Sequence, residues 1–102
     1  MKKKTNKLNK LEKNRTSILT NDLEHCYICG MKKNHLHEVY FGKNRQNSMK
    51  WGCVVPLCFS CHTRIHNDII LDTELKIKMQ NKFEAVYDIE FISIFHRNYK
   101  KD

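Results

Sequence analysis

The chain has 102 residues, 29% of them charged, and a formal net charge of +8; that length holds one small domain whose apolar core needs an additional staple. No stretch approaches the length of a membrane span, and the N-terminal MKKKTNKLNKLEKNR lacks the apolar segment of a secretory signal, so neither membrane insertion nor secretion is expected. The expected setting is a reducing cytoplasm, where paired cysteines are read first as metal ligands and only then as disulfides.

Residues 1 to 22 carry Lys2, Lys3, Lys4, Lys7, Lys10, Lys13 and Arg15 against Glu12 and Asp22. Such a basic extension either stays solvated and keeps the chain soluble, or neutralises phosphates along a nucleic-acid backbone. Leu8, Leu11, Ile18 and Leu19 fall near helical spacing, which allows a basic amphipathic helix. From residue 23 to 102 we expect a single α+β domain. Cys26-x-x-Cys29 followed by Gly30 reads as a knuckle, a tight turn whose backbone amides approach two thiolates. His35 to Phe41 follows as a strand, with β-branched and aromatic character from Val39, Tyr40 and Phe41.

Gly42 to Lys50, GKNRQNSMK, reads as a polar, basic loop. Trp51 to Cys58 returns as a second strand, with Pro56 expected at its end, where a missing N–H costs nothing. Beyond Cys61 the pattern becomes helical, and His62 and His66, four residues apart, share one helix face. Asp72 is the expected N-cap of a helix running to about Tyr87, with Leu75, Met79, Phe83 and Val86 as its apolar stripe. Asp88 is the expected cap of a last short helix carrying Ile89, Ile92 and Phe95.

Two groups of residues carry chemistry. Cys26, Cys29, Cys58 and Cys61 form two identical C-x-x-C pairs separated by 28 residues, a spacing that suits a four-thiolate zinc site clamping two distant loops. A closed thiolate shell leaves no open position, so this zinc is expected to be structural. Cys53 stands outside the pairs and reads as a small hydrophobe. His25, His35 and His96 read as ordinary surface or satisfied histidines. His62 and His66 differ, because i, i+4 imidazoles can share one ion. If the knuckles tie the first strand to the helix start, His37 can join them at a second metal with open positions for water and phosphate.

The order C-x-x-C, LHEVYFG, NRQNS, CVVPLC and CHTRIH resembles the HNH endonucleases with the ββα-metal fold, specifically small phage and prophage members. The likeness extends over about residues 23 to 100, loosely after the second knuckle. It implies a ββα-metal domain stapled by the four-cysteine zinc, with additional C-terminal helices and the basic N-terminal extension. It also implies hydrolysis of DNA phosphodiester bonds with one catalytic divalent ion (Mg²⁺, Mn²⁺, Ni²⁺ or Zn²⁺), leaving 5′-phosphate and 3′-hydroxyl ends.

Carried over by motif, His37, His62 and His66 are catalytic-metal ligands. Glu38 falls where the family commonly has the histidine that activates water, and Cys53 or Gly52 falls where it has a loop-holding asparagine. Asn44 or Asn47 can take over the latter role. The sequence leaves open whether His37 holds the ion and Glu38 is the base or the reverse, with His35 a third candidate base. Arg45 is the candidate for gripping a phosphate, because its fork matches two oxygens, and Lys43, Lys50 and Arg64 are generic backbone contacts. DNA is the expected partner, with a second copy of the chain or phage and host recombination proteins beside it, in the bacterial cytoplasm. No base-reading element is evident, so weak sequence specificity is expected. Two other readings compete: a zinc-stapled DNA-binding module that has lost its base, and a structural zinc domain that recruits a protein.

Overall fold

The computed structural model describes residues 6–100, with side chains from residue 10 onward; Lys2, Lys3 and Lys4 lie outside the described residues, as do the side chains of Lys7 and Leu8. The elements in chain order are α1 (Asn6–Lys13), β1 (His35–Glu38), a 3₁₀ turn (Gly42–Asn44), α2 (Arg45–Lys50), β2 (Val54–Leu57), α3 (Phe59–Asn67), α4 (Ile69–Val86) and α5 (Phe91–Phe95). Together they make a small α+β domain around one two-stranded antiparallel sheet. No helix among the described residues is long and apolar enough to cross a membrane.

The strands are shorter than expected. β1 ends at Glu38, and β2 pairs with it in the register His35↔Leu57, Leu36↔Pro56, His37↔Val55 and Glu38↔Val54. Pro56 therefore sits inside the strand and not at its end. The Val39 N–H bond to the Cys53 carbonyl lies in the same register, so bonded pairs alternate through His37↔Val55 and leave Leu36↔Pro56 unbonded. Pro56 has no N–H to lose on that outer side, and its carbonyl there accepts from the Tyr27 N–H at 2.8 Å. One strand residue thus anchors the first knuckle.

The expected loop 42–50 is instead a 3₁₀ turn running into α2. Ser48 explains the difference. It is fully buried, its hydroxyl donates to the Tyr40 carbonyl at 2.6 Å, and that same oxygen accepts from the Tyr40 N–H. Polar residues here satisfy the backbone of a turn that the core covers, together with Met49. Asn44 and Asn47 donate to the carbonyls of Phe95 and Ile94, each at 3.1 Å, so both hold this segment against α5.

The helix α4 starts four residues earlier than expected. Asp68, not Asp72, is its N-cap, accepting from the N–H groups of Ile70 (3.0 Å) and Leu71 (3.1 Å). Asp72 lies in the first turn and pairs with Lys76 at 2.8 Å. Leu75, Met79 and Phe83 are buried as expected, whereas Val86 is exposed. Glu90, not Asp88, precedes α5, which buries Phe91 and Phe95 and leaves Ile89 and Ile92 exposed. The short helix is therefore rotated from the expected stripe, because Phe91 and Phe95 dock on Tyr40 and Phe83 at ring separations of 4.6 to 5.9 Å.

The N-terminal extension packs on this body. Helix α1 stops at Lys13, so Ile18 and Leu19 belong to a following irregular segment that bends over the Ser17 hydroxyl and packs against the core. The Ile18 N–H donates to the Gly52 carbonyl at 2.9 Å. Gly52 is required there twice: its φ is +75°, and a Cβ would meet the Ile18 side chain at 3.0 Å.

Candidate metal centre

The two knuckles bring Cys26, Cys29, Cys58 and Cys61 together, with all four sulfurs within 4.8 Å of one another. Gly30, at φ +81°, closes the first knuckle, and its N–H donates to the Cys26 carbonyl at 2.9 Å. The second knuckle opens α3, where the Cys58 sulfur accepts from the Cys61 N–H at 3.4 Å and so also caps the helix. The Cys29 and Cys58 sulfurs lie 3.6 Å apart. Tetrahedral zinc with bonds of ~2.3 Å requires sulfurs roughly 3.8 Å apart, so the group fits a thiolate-bound ion. Burial pushes the Cys26 thiol up, but backbone N–H groups around it win and bring it down to about 6; burial and the neighbouring sulfurs push Cys61 up to about 12. Four thiolates this close repel one another unless a cation lies among them.

The histidines form the second group. His37, from β1, meets His62 and His66, from α3, with one ring nitrogen of each within 4.8 Å of the others. The strand period places His35 and His37 on one face, and the four-residue spacing stacks His62 under His66. The Nε2 atoms of His62 and His66 are 3.1 Å apart. His37 is only 4% exposed, and its Nε2 is buried without a hydrogen-bond partner among the described residues. A buried nitrogen without a hydrogen-bond partner, close to two more imidazoles, is chemically able to ligate a metal ion. Burial, with His62, His66 and Lys76 adding repulsion, lowers His37 to about 3, so the ring is neutral and its lone pair free. Burial lowers His62 as well.

Glu38 does not join this group. It ends β1, where one carboxylate oxygen accepts from Arg45 Nε at 3.0 Å and the other lies 3.1 Å from Arg15 Nε. Although that second distance is short, both atoms are buried and neither is aligned to hydrogen bond; the contact is an ion pair. Arg45 also donates to Glu12, at 2.7 Å. The candidate phosphate-gripping residue is thus committed to two carboxylates.

The open cleft over the histidines is lined by Arg15, Asn34, His35, Phe41 and Glu38 as well as the three imidazoles. The His35 ring lies tilted against that of His62 at 4.6 Å, and the exposed Phe41 ring stands 5.6 Å from that of His66. Lys43 lies in a separate polar hollow beside Arg45, Lys50 beside α1, and Arg64 beside the cysteine group. Cys53 is fully buried and apart from the other cysteines. His25 is exposed and pairs with Asp22 at 2.9 Å, and His96 ends α5 on the surface.

The sequence did not single out Arg15 or Phe41 at this cleft. Arg15 is one of seven basic residues in the extension, 23 positions from Glu38, and nothing local marks its partner. Comparison of the chain with protein-family models, with curated proteins and with solved structures returned no match.

Proposed function

We propose that the chain is a metal-dependent DNA endonuclease of the HNH type, hydrolysing phosphodiester bonds with little sequence specificity. The supporting observation is the convergence of a buried, unpartnered His37 with His62 and His66 in an open cleft beside a four-cysteine group. The cysteines would hold a structural zinc ion, and the three histidines the catalytic divalent ion. Bound there, that ion would supply Lewis acidity for the phosphate and its leaving 3′ oxygen. Imidazole ligands favour zinc, nickel or manganese over magnesium, which prefers oxygen.

The chain's own residues supply the rest. β1 and α3 hold the three imidazoles at fixed angles, and the cysteine group locks those elements together. The surrounding basic residues draw in the DNA backbone. The cleft is open enough for a phosphate to approach from solvent. Plasmid nicking with Mg²⁺, Mn²⁺, Ni²⁺ and Zn²⁺ tests the reading, comparing the wild type with His37→Ala, Glu38→Gln and His62→Ala. Metal-dependent nicking that disappears in His37→Ala and His62→Ala is expected. Nicking no greater than that of His62→Ala would refute it.

One observation favours a second reading, a DNA-binding module with slow or no chemistry. Both Glu38 oxygens face arginines, so neither is free to take a proton from water. Salt-sensitive DNA binding without nicking would select this reading.

A further inference from the structure

We propose that Arg15, from the N-terminal extension, grips a substrate phosphate at the histidine cleft, and that Glu38 is the positioning residue that aims it. The phosphate's identity as part of DNA rests on the nuclease reading above. Arg15 is the only arginine or lysine lining that cleft among the described residues. Its guanidinium therefore offers the lining of the cleft a permanently charged, forked donor for an incoming phosphodiester.

The two arginines beside Glu38 are not equivalent. Arg45 is held at two nitrogens, by Glu38 and by Glu12, and serves as a brace. Arg15 touches Glu38 through Nε alone, without hydrogen-bond alignment. Among the described residues no other group takes a hydrogen bond or ion pair from its guanidinium, and its side chain is 20% exposed. A guanidinium tethered at one edge, with its two terminal nitrogens uncommitted, can present a fork to two phosphate oxygens. Glu38, fixed from behind by Arg45, sets its direction. The Ile18 N–H bond to Gly52 fixes the backbone three residues further on, so the extension completes the cleft.

The test uses the full chain as wild type, Arg15→Ala, Arg15→Lys and Glu38→Gln. Nicking rates are measured with and without added guanidinium, duplex binding is followed by anisotropy across a salt series, and Co²⁺ affinity reports on the histidine centre. Arg15→Ala should lose roughly 100-fold in kcat, a loss typical of one removed transition-state contact, with Co²⁺ affinity retained. Guanidinium should restore part of that rate, and Arg15→Lys should fall between. The slope of log Kd against log salt should drop by about one in Arg15→Ala. Glu38→Gln should lower kcat less, without rescue by guanidinium.

Nicking by Arg15→Ala at the wild-type rate would overturn the proposal while leaving the nuclease reading intact. Loss of rate without rescue and with loss of Co²⁺ binding would also overturn it, showing a purely structural role. If the wild type fails to nick with any of the divalent ions, the nuclease reading fails. The phosphate grip then stands or falls on the salt slope alone, and an unchanged slope would overturn it.

Discussion

Removing the metal proposed for the four-cysteine group should cost this domain much of its stability. The group joins residues 26–29 to residues 58–61 across 28 intervening positions. Treating the ion as a cross-link, closing a loop of that length removes chain entropy worth roughly 3.5 kcal/mol from the unfolded state. A domain of this size has only about 5–15 kcal/mol in total. At ~4–8 °C per kcal/mol, the melting temperature should fall by roughly 15–30 °C. Without the ion, crowded thiols at the start of α3 would also loosen the element that carries His62 and His66.

The assay is thermal unfolding by circular dichroism, before and after a strong zinc chelator, with metal content measured on the same samples. Cys58→Ser should reproduce the apo state and abolish the thiolate-to-metal absorption that Co²⁺ gives in the wild type. His62→Ala should keep that absorption and melt close to the wild type, because His62 contributes to the other group. Complete metal removal with the melting temperature unmoved would refute the reasoning. So would a protein that binds Co²⁺ only through its histidines.

The remaining predictions concern the core and the extension. Phe83→Ala should destabilise by ~3–5 kcal/mol in denaturant titration, since Phe83 is fully buried against Trp51, Tyr87, Phe91 and Phe95; a loss under ~1 kcal/mol would contradict that packing. Gly52→Ala should cost about 1–2 kcal/mol from its left-handed backbone alone and should free the segment around Ile18, read as faster hydrogen exchange at the Ile18 amide. Cys53 is fully buried and burial pushes its thiol up to about 12, so its alkylation in the folded protein should be far slower than in the unfolded chain. Peptide mapping of native and unfolded samples would read the difference; fast native labelling of Cys53 would place it nearer the surface.

The paired cysteines, the i, i+4 histidines and the apolar stripe of α4 were legible because each is a local spacing with its own chemistry. Cys26-x-x-Cys29 and Cys58-x-x-Cys61 come together in one group, and so do His37, His62 and His66. Helix starts were less legible: Asp68 and Asp72 are both capable caps, and only the backbone path decides which side chain reaches free amides. The loop 42–50 looked polar and irregular because Ser48 and Asn47 are polar, yet their partners are main-chain atoms of Tyr40 and Ile94.

What the sequence by itself determined is the inventory of paired cysteines and histidines, the basic charge and the α+β class, all of which follow from residue type and short-range periodicity. Only the tertiary structure decided what surrounds them. It set Glu38 between Arg15 and Arg45, left His37 buried without a partner, and brought the N-terminal extension to the rim of the cleft. Those contacts join positions up to 33 residues apart, and pairing at such separations depends on how the elements pack, a choice that no local pattern encodes.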